Sequence, residues 1–190
     1  MNQDSNSNQL FVPPSERDHY QGILNAPVVL VEYGNYQCNQ CGELYRLIQA
    51  IQQPFASVLS QEERICVVFR HFIENSVHPQ AQKAAEVVEA AAAQGQFWQM
   101  HDILFTHQQA LENGFLVEYA DSLGLDISQF LQDISKQTYV NRINQDIESG
   151  RQSGVTAAPA LFINGIRYLE HLNIEQLMAA IVAASQNISQ

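Results

Sequence analysis

The sequence predicts an α/β fold with a central mixed β-sheet and an all-helical segment inserted in the middle of the chain. Three observations carry this. Residues 28–34 and 65–70 are near-continuous β-branched and apolar runs, the mark of strands buried on both faces. The stretch between them has helical apolar spacing, so the three form a βαβ unit with a parallel strand pair. Asn164-Gly165 stands between two β-rich runs, the strongest short hairpin signal, and an amphipathic stretch follows it.

In chain order, residues 1–25 are polar and turn-rich, with Pro13-Pro14 and Gly22, and read as a mostly irregular arm. Residues 26–78 hold the βαβ unit. Its helix carries Leu44, Leu47, Ile48 and Ile51 on one face and ends near Pro54. Residues 79–153 read as helices throughout. An alanine- and glutamate-rich one over 81–93 stops at Gly95, and His78-Pro79 places a proline in its first turn. Phe97, Trp98 and Phe105 lie on one face of the next, as helical core. Three more helices, over 115–123, 127–135 and 139–149, are separated by Gly114, Gly124 and Thr138. Residues 154–190 return to strand, hairpin and a closing helix over 174–184.

The 190 residues suit one domain with an insertion, and 46% hydrophobic against 15% charged residues is globular rather than disordered. A net charge of −11 with no basic run disfavours nucleic acid and anionic membrane as partners. The first nine residues lack the basic and apolar regions of a signal peptide, and no stretch is long and apolar enough to span a bilayer. If Met1 is the natural start, the expected location is cytoplasmic. Three cysteines are too few, and odd in number, for a secreted disulfide framework.

Cys38-Asn39-Gln40-Cys41 falls where the first long strand meets the first helix. A sulfur at a helix N-terminus faces unpaired backbone N–H groups and the positive end of the dipole, which stabilise its thiolate. Two intervening residues place the second sulfur about one turn on, within reach of a mixed disulfide formed at the first. The pair is therefore a candidate redox site, Cys38 attacking and Cys41 resolving. Glu32, the one acid in the first long strand, is a candidate proton carrier for Cys41, since a buried carboxylate titrates near neutrality. A structural ion pair is its plainer role. Cys66 reads as a small buried hydrophobe. Asn187-Ile188-Ser189 has glycosylation spacing, without meaning in the absence of a secretory signal.

The chain from Ala26-Pro27-Val28 through Tyr33-Gly34-Asn35-Tyr36-Gln37-Cys38-Asn39-Gln40-Cys41-Gly42 resembles the opening of the DsbA-like branch of the thioredoxin superfamily. So do Phe69-Arg70-His71-Phe72, His78-Pro79, Gln94-Gly95-Gln96-Phe97-Trp98, His101-Asp102 and the stretch from Gly154 through Pro159 to Gly165. The resemblance covers about residues 25–182. It implies a thioredoxin fold, βαβ plus ββα, with a helical domain inserted between the halves. It also implies thiol–disulfide oxidoreductase activity, a buried acid at Glu32, and a cis Ala158–Pro159 bond against the cysteine pair, where the Ala158 backbone meets an extended substrate.

The chain departs from the family's usual residues at Asn35 (aspartate), Ile73 (proline), Asn39-Gln40 (proline with an aromatic or histidine) and Ala157-Ala158 (glycine-threonine). Without a histidine cation beside Cys38 the thiolate is less stabilised, so a milder oxidant is expected, nearer isomerases and reductases. Alanine at 158 also removes a hydroxyl from the substrate surface. The expected partners are protein or small-molecule thiols and disulfides, with a thiol reductant or oxidant to recycle the site. The expected redox group is the Cys38–Cys41 disulfide itself, with no separate cofactor and no metal. Two other readings stand beside this one: a non-catalytic module that binds peptides or a partner, and a protein binding metal through the cysteines with His71, His78, His101 or His107.

Overall fold

A computed structural model describes residues 8–55, 65–74 and 77–186; the glycosylation-like Asn187 and the first seven residues of the arm lie outside them. Five strands form one sheet: β1 (His19–Gln21), β2 (Val28–Gly34), β3 (Ile65–His71), β4 (Ala160–Ile163) and β5 (Ile166–Arg167), in the order β1-β3-β2-β4-β5. β2 and β3 are parallel and joined by α1 (Asn39–Phe55), while β4 runs antiparallel to β2. Asn164 and Gly165 close the β4–β5 hairpin with φ of 48° and 81°, the left-handed pair that a tight two-residue turn demands.

Alternation along β2 and β3 sorts the core. Val28, Leu30, Ile65 and Val67 face α1 and the closing helix α7 (Ile174–Gln186), against Leu44, Ile48, Leu177 and Ile181. Val31, Tyr33, Cys66 and Val68 face the other way, toward Ile143 and Ile147 of α6 (Val140–Gln152) and the start of α2 (Ala81–Ala92). Fully burying each such aliphatic side chain is worth about 1.5–3 kcal/mol. Helices α2, α3 (Phe97–Thr106), α4 (Asn113–Ser122) and α5 (Ile127–Ser135) build a further cluster around Phe97, Met100, Leu104, Phe105 and Phe130, and Tyr36, Cys38 and Cys41 belong to it. The turn that carries Cys38 and Cys41 thus lies where helical segment and sheet meet. α6, contiguous in sequence with the inserted helices, covers the sheet.

The arm is more ordered than its composition predicts. β1 pairs antiparallel with β3, and near residue 9 the arm also bridges β5: Leu10 N–H donates to Gly165 O at 2.8 Å and Arg167 N–H to Asn8 O at 2.9 Å. The cause is Arg70, a cation buried in β3 that must find acceptors. Its guanidinium donates to Asp18 (2.7 and 3.1 Å), Val12 O (2.8 Å), Pro13 O (3.2 Å) and the Tyr33 hydroxyl (2.9 Å). Three boundaries also move. α1 runs one residue past Pro54, Gly114 lies inside α4, and α2 starts at Ala81 with Gln80 as its cap, so Pro79 precedes the helix.

Candidate active site

α1 begins at Asn39, so its first turn holds both cysteines' neighbourhood, with Asn39 and Gln40 exposed to solvent. Cys38 and Cys41 are free thiols, and the Cys41 N–H donates to the Cys38 sulfur at 3.1 Å. The hydrogen bond from the Cys41 thiol, with the N–H groups of Cys41 and Gln40, brings Cys38 down to about 7 against the opposing effect of burial. Cys41, fully buried, is pushed well above the ordinary thiol range by burial first and then by its bond to Cys38 and the nearby Glu32 charge. One sulfur is built to ionise and the other to hold its proton.

Glu32 lies on the face of β2 that meets α1. It is buried, its Oε1 has no hydrogen-bond partner among the described residues, and burial, then the Cys38 charge, raises it to about 8. Room for it comes from Gly34, two residues on along the same face, where a Cβ would stand 2.7 Å from Oε1 and 3.0 Å from Phe69 Cε2. The structure therefore gathers Glu32, Cys38 and Cys41 in one place.

Ala158–Pro159 is a cis peptide bond. The Cys38 thiol donates to the Ala158 carbonyl at 3.6 Å, so residues 120 apart in sequence are in contact. Both Ala158 and Pro159 are half-buried.

Several residues that hold the turn are given no role by the sequence. Asn35 Nδ2 donates to Phe72 O at 3.1 Å and its Oδ1 accepts from Gln37 N–H at 3.2 Å, tying the segment before Cys38 to the end of β3. The Tyr36 hydroxyl meets His101 Nδ1 at 3.0 Å, and burial pushes His101 down to about 3, so the imidazole stays neutral. Gln108, from the loop after α3, donates from Nε2 to both Tyr36 O (3.0 Å) and Cys38 O (2.8 Å). Of the other histidines, His71 is buried and bound to Glu89 at 2.9 Å, and the His107 ring lies tilted beside Tyr119, centroids 5.4 Å apart. Among the described residues no three His, Cys, Asp or Glu side chains converge as a metal site. Cys66 is buried away from the pair, its thiol raised to about 11 by burial. Phe97 and Phe105 are core, and Trp98 Nε1–H is spent on Tyr20 O at 3.1 Å.

The sequence profile of the thioredoxin family matches residues 14–183. The Na(+)/H(+) antiporter NhaA 3 of Salinispora tropica is 39% identical over 176 residues, covering 92% of this chain and 26% of that protein; the chain spans about a quarter of such relatives. Oxidised BdbD from Bacillus subtilis superposes with a TM-score of 0.80 at 19% identity, over 95% of this chain and 97% of that one. Wolbachia pipientis alpha-DsbA1 gives 0.77 at 19% identity, over 92% and 94%. These likenesses establish the fold, a thioredoxin fold with a mixed central sheet and inserted helices.

Proposed function

The chain belongs to the thioredoxin family, and from that premise we propose that it is a thiol–disulfide oxidoreductase in which Cys38 attacks and Cys41 resolves. The observation that carries the reading is the opposed state of the two sulfurs. Cys38, near 7, is about half thiolate at neutral pH, close to the optimum for an attacking thiol, while Cys41 keeps its proton until it is needed.

In the reductive direction the Cys38 thiolate attacks one sulfur of a substrate disulfide, and the other substrate sulfur leaves as a thiolate. Once Cys38 is tied up in the mixed disulfide its charge no longer raises Glu32, and the ionised Glu32 carboxylate takes the Cys41 proton as Cys41 attacks the Cys38 sulfur. The second substrate thiolate departs; the Cys38–Cys41 pair has given up two electrons to the substrate and is now itself the disulfide. A thiol reductant then returns it to the dithiol. Glu32, near 8 and close enough to feel both sulfurs, is suited to take and return that proton. The cis turn at Ala158–Pro159 presents the backbone of Ala158 beside Cys38, where an extended peptide pairs with it during the mixed disulfide.

The direction follows from the same balance. A nucleophile near 7 has a thiolate about as stable as that of a reductase such as thioredoxin, and less stable than that of a strong oxidase. Equilibrating the Cys38–Cys41 pair in glutathione buffers tests this. The expected potential lies toward about −270 mV; a value near about −120 mV would overturn the reductive assignment, and a pair that fails to cycle would overturn the enzyme.

A further inference from the structure

We infer that Gln108, a residue of the inserted helical segment, is a positioning residue for the Cys38 thiolate, and that Gly42 is glycine in order to admit it. The inference rests on the reading of Cys38 as nucleophile and concerns what holds that nucleophile ready.

Two observations meet at this side chain. The first is the pair of hydrogen bonds from Gln108 Nε2 to the carbonyls of Tyr36 and Cys38, 3.0 and 2.8 Å away and 72 and 70 residues distant in sequence. Both hydrogens of the amide are spent on the segment that leads into the redox turn. The Cys38 carbonyl already accepts the first helical bond, from Gly42 N–H at 3.2 Å, so Gln108 fills its remaining acceptor capacity. The second is steric. A Cβ on Gly42 would stand 2.0 Å from Gln108 Oε1 and 2.8 Å from its Cδ. The amide fills the volume that any other residue at 42 would occupy. Glycine is a poor helix former, and its presence in the first turn of α1 is explained by this neighbour.

The consequence falls on the sulfur. Cys38 is stabilised as thiolate by the thiol and N–H of Cys41 and by the N–H of Gln40, which point at it only while residues 36–41 keep their shape. Gln108 pins that segment from outside the helix. It also sets positive N–H ends against the carbonyl oxygens of Tyr36 and of Cys38 itself. Both effects favour the charged form. Gln108 further lines a cleft of about 630 Å3 that runs beside Asn39, Glu43 and His107, so this clamp forms part of the wall next to the nucleophile.

The test is the Cys38 pKa, read from thiolate absorbance or alkylation rate against pH in the full chain. Gln108→Glu keeps the shape and loses both donors; Gly42→Ala keeps Gln108 but displaces its amide, and improves α1 as a helix. Each should raise the Cys38 pKa by about one unit, and Gly42→Ala should do so with folding stability held or increased. The Gly42→Ala/Gln108→Ala double variant should shift no further than either single change. Gln109→Ala, an exposed neighbour, should leave the pKa in place. An unshifted pKa in Gly42→Ala and Gln108→Glu would overturn the inference, as would additive shifts in the double variant. Failure of the parent reading shows separately, as a wild-type protein whose Cys38 titrates like an ordinary thiol.

Discussion

The carboxyl of Glu32 rests against the bare Cα of Gly34, in space that a single methyl group there would take away. A buried, unpartnered acid survives in the sheet because the strand leaves it that gap, and Gly34→Ala closes it. We expect a loss of about 1–3 kcal/mol in chemical denaturation, the usual cost of overpacking a filled core.

Glu32 also makes stability depend on pH with a definite sign. Its native value near 8 lies above the ordinary 4.5, so between those values the folded chain holds a proton that the unfolded chain has released. Its contribution therefore falls as pH rises from about 4.5 to about 8 and is constant beyond. Glu32→Gln should remove that slope and be the more stable protein at pH 8. The same variant should slow resolution of the mixed disulfide on the order of 100-fold near neutrality and leave the first attack unchanged. Stopped-flow measurement of the two steps between pH 6 and 9 checks it; equal resolution rates across that range would defeat the relay.

The two cysteines should separate cleanly in variants. Cys38→Ser should abolish exchange, because Cys41, with no exposed surface against 4% for the also buried Cys38, keeps its proton and cannot substitute for it. Cys41→Ser should attack normally and accumulate as a mixed disulfide, visible on a non-reducing gel or by intact mass.

Acid sensitivity should come from Glu89 on α2. It is buried, bonded to His19 and His71 at 2.9 Å each, and 3.3 Å from Arg142 Nε. Burial alone would raise it, but the bonds from His19 and His71 hold it far below the usual carboxylate range. A depressed native value stabilises above about 4.5 and is lost as pH falls below it. Buried neutral His101, near 3, adds to the loss below about 6.5. Glu89→Gln should cost about 1–3 kcal/mol at pH 7, since it weakens the bonds with His19 and His71 and takes the carboxylate from Arg142. The gap to wild type should shrink by pH 4 in urea titrations.

Asp18→Ala should be as costly, about 3–5 kcal/mol, by leaving the Arg70 guanidinium without its carboxylate. It should also free the arm, so limited proteolysis before residue 19 should accelerate in the variant and not in wild type.

The sequence disclosed the parts whose signal is local. β2 and β3 are long apolar runs, the hairpin has its Asn-Gly, and Cys38 and Cys41 carry their chemistry in their spacing. Glu32 was legible because it is the one charge in an apolar strand. The rest was not local. β1 is three residues, His-Tyr-Gln, with no alternation to read, and it exists because Arg70 in β3 draws the arm in. Gln108 is one glutamine among several until the fold brings its amide to two carbonyls 70 and 72 residues away. Gly34 and Gly42 matter for what lies beside them rather than for any turn they make, and neighbours across a fold leave no mark in composition or period.

One stretch of arm, residues 8–21, supplies the outermost pairing on both sides of the sheet, bridging β5 near residue 9 and covering β3 with β1. An edge strand left bare is a template for another chain, and β3, buried along its whole length, would be a sticky one. Deleting the arm would therefore expose both rims at once. The shortened protein should self-associate into edge-to-edge oligomers even where its cysteine pair is untouched, so the solubility of this redox unit depends on a segment that takes no part in its chemistry.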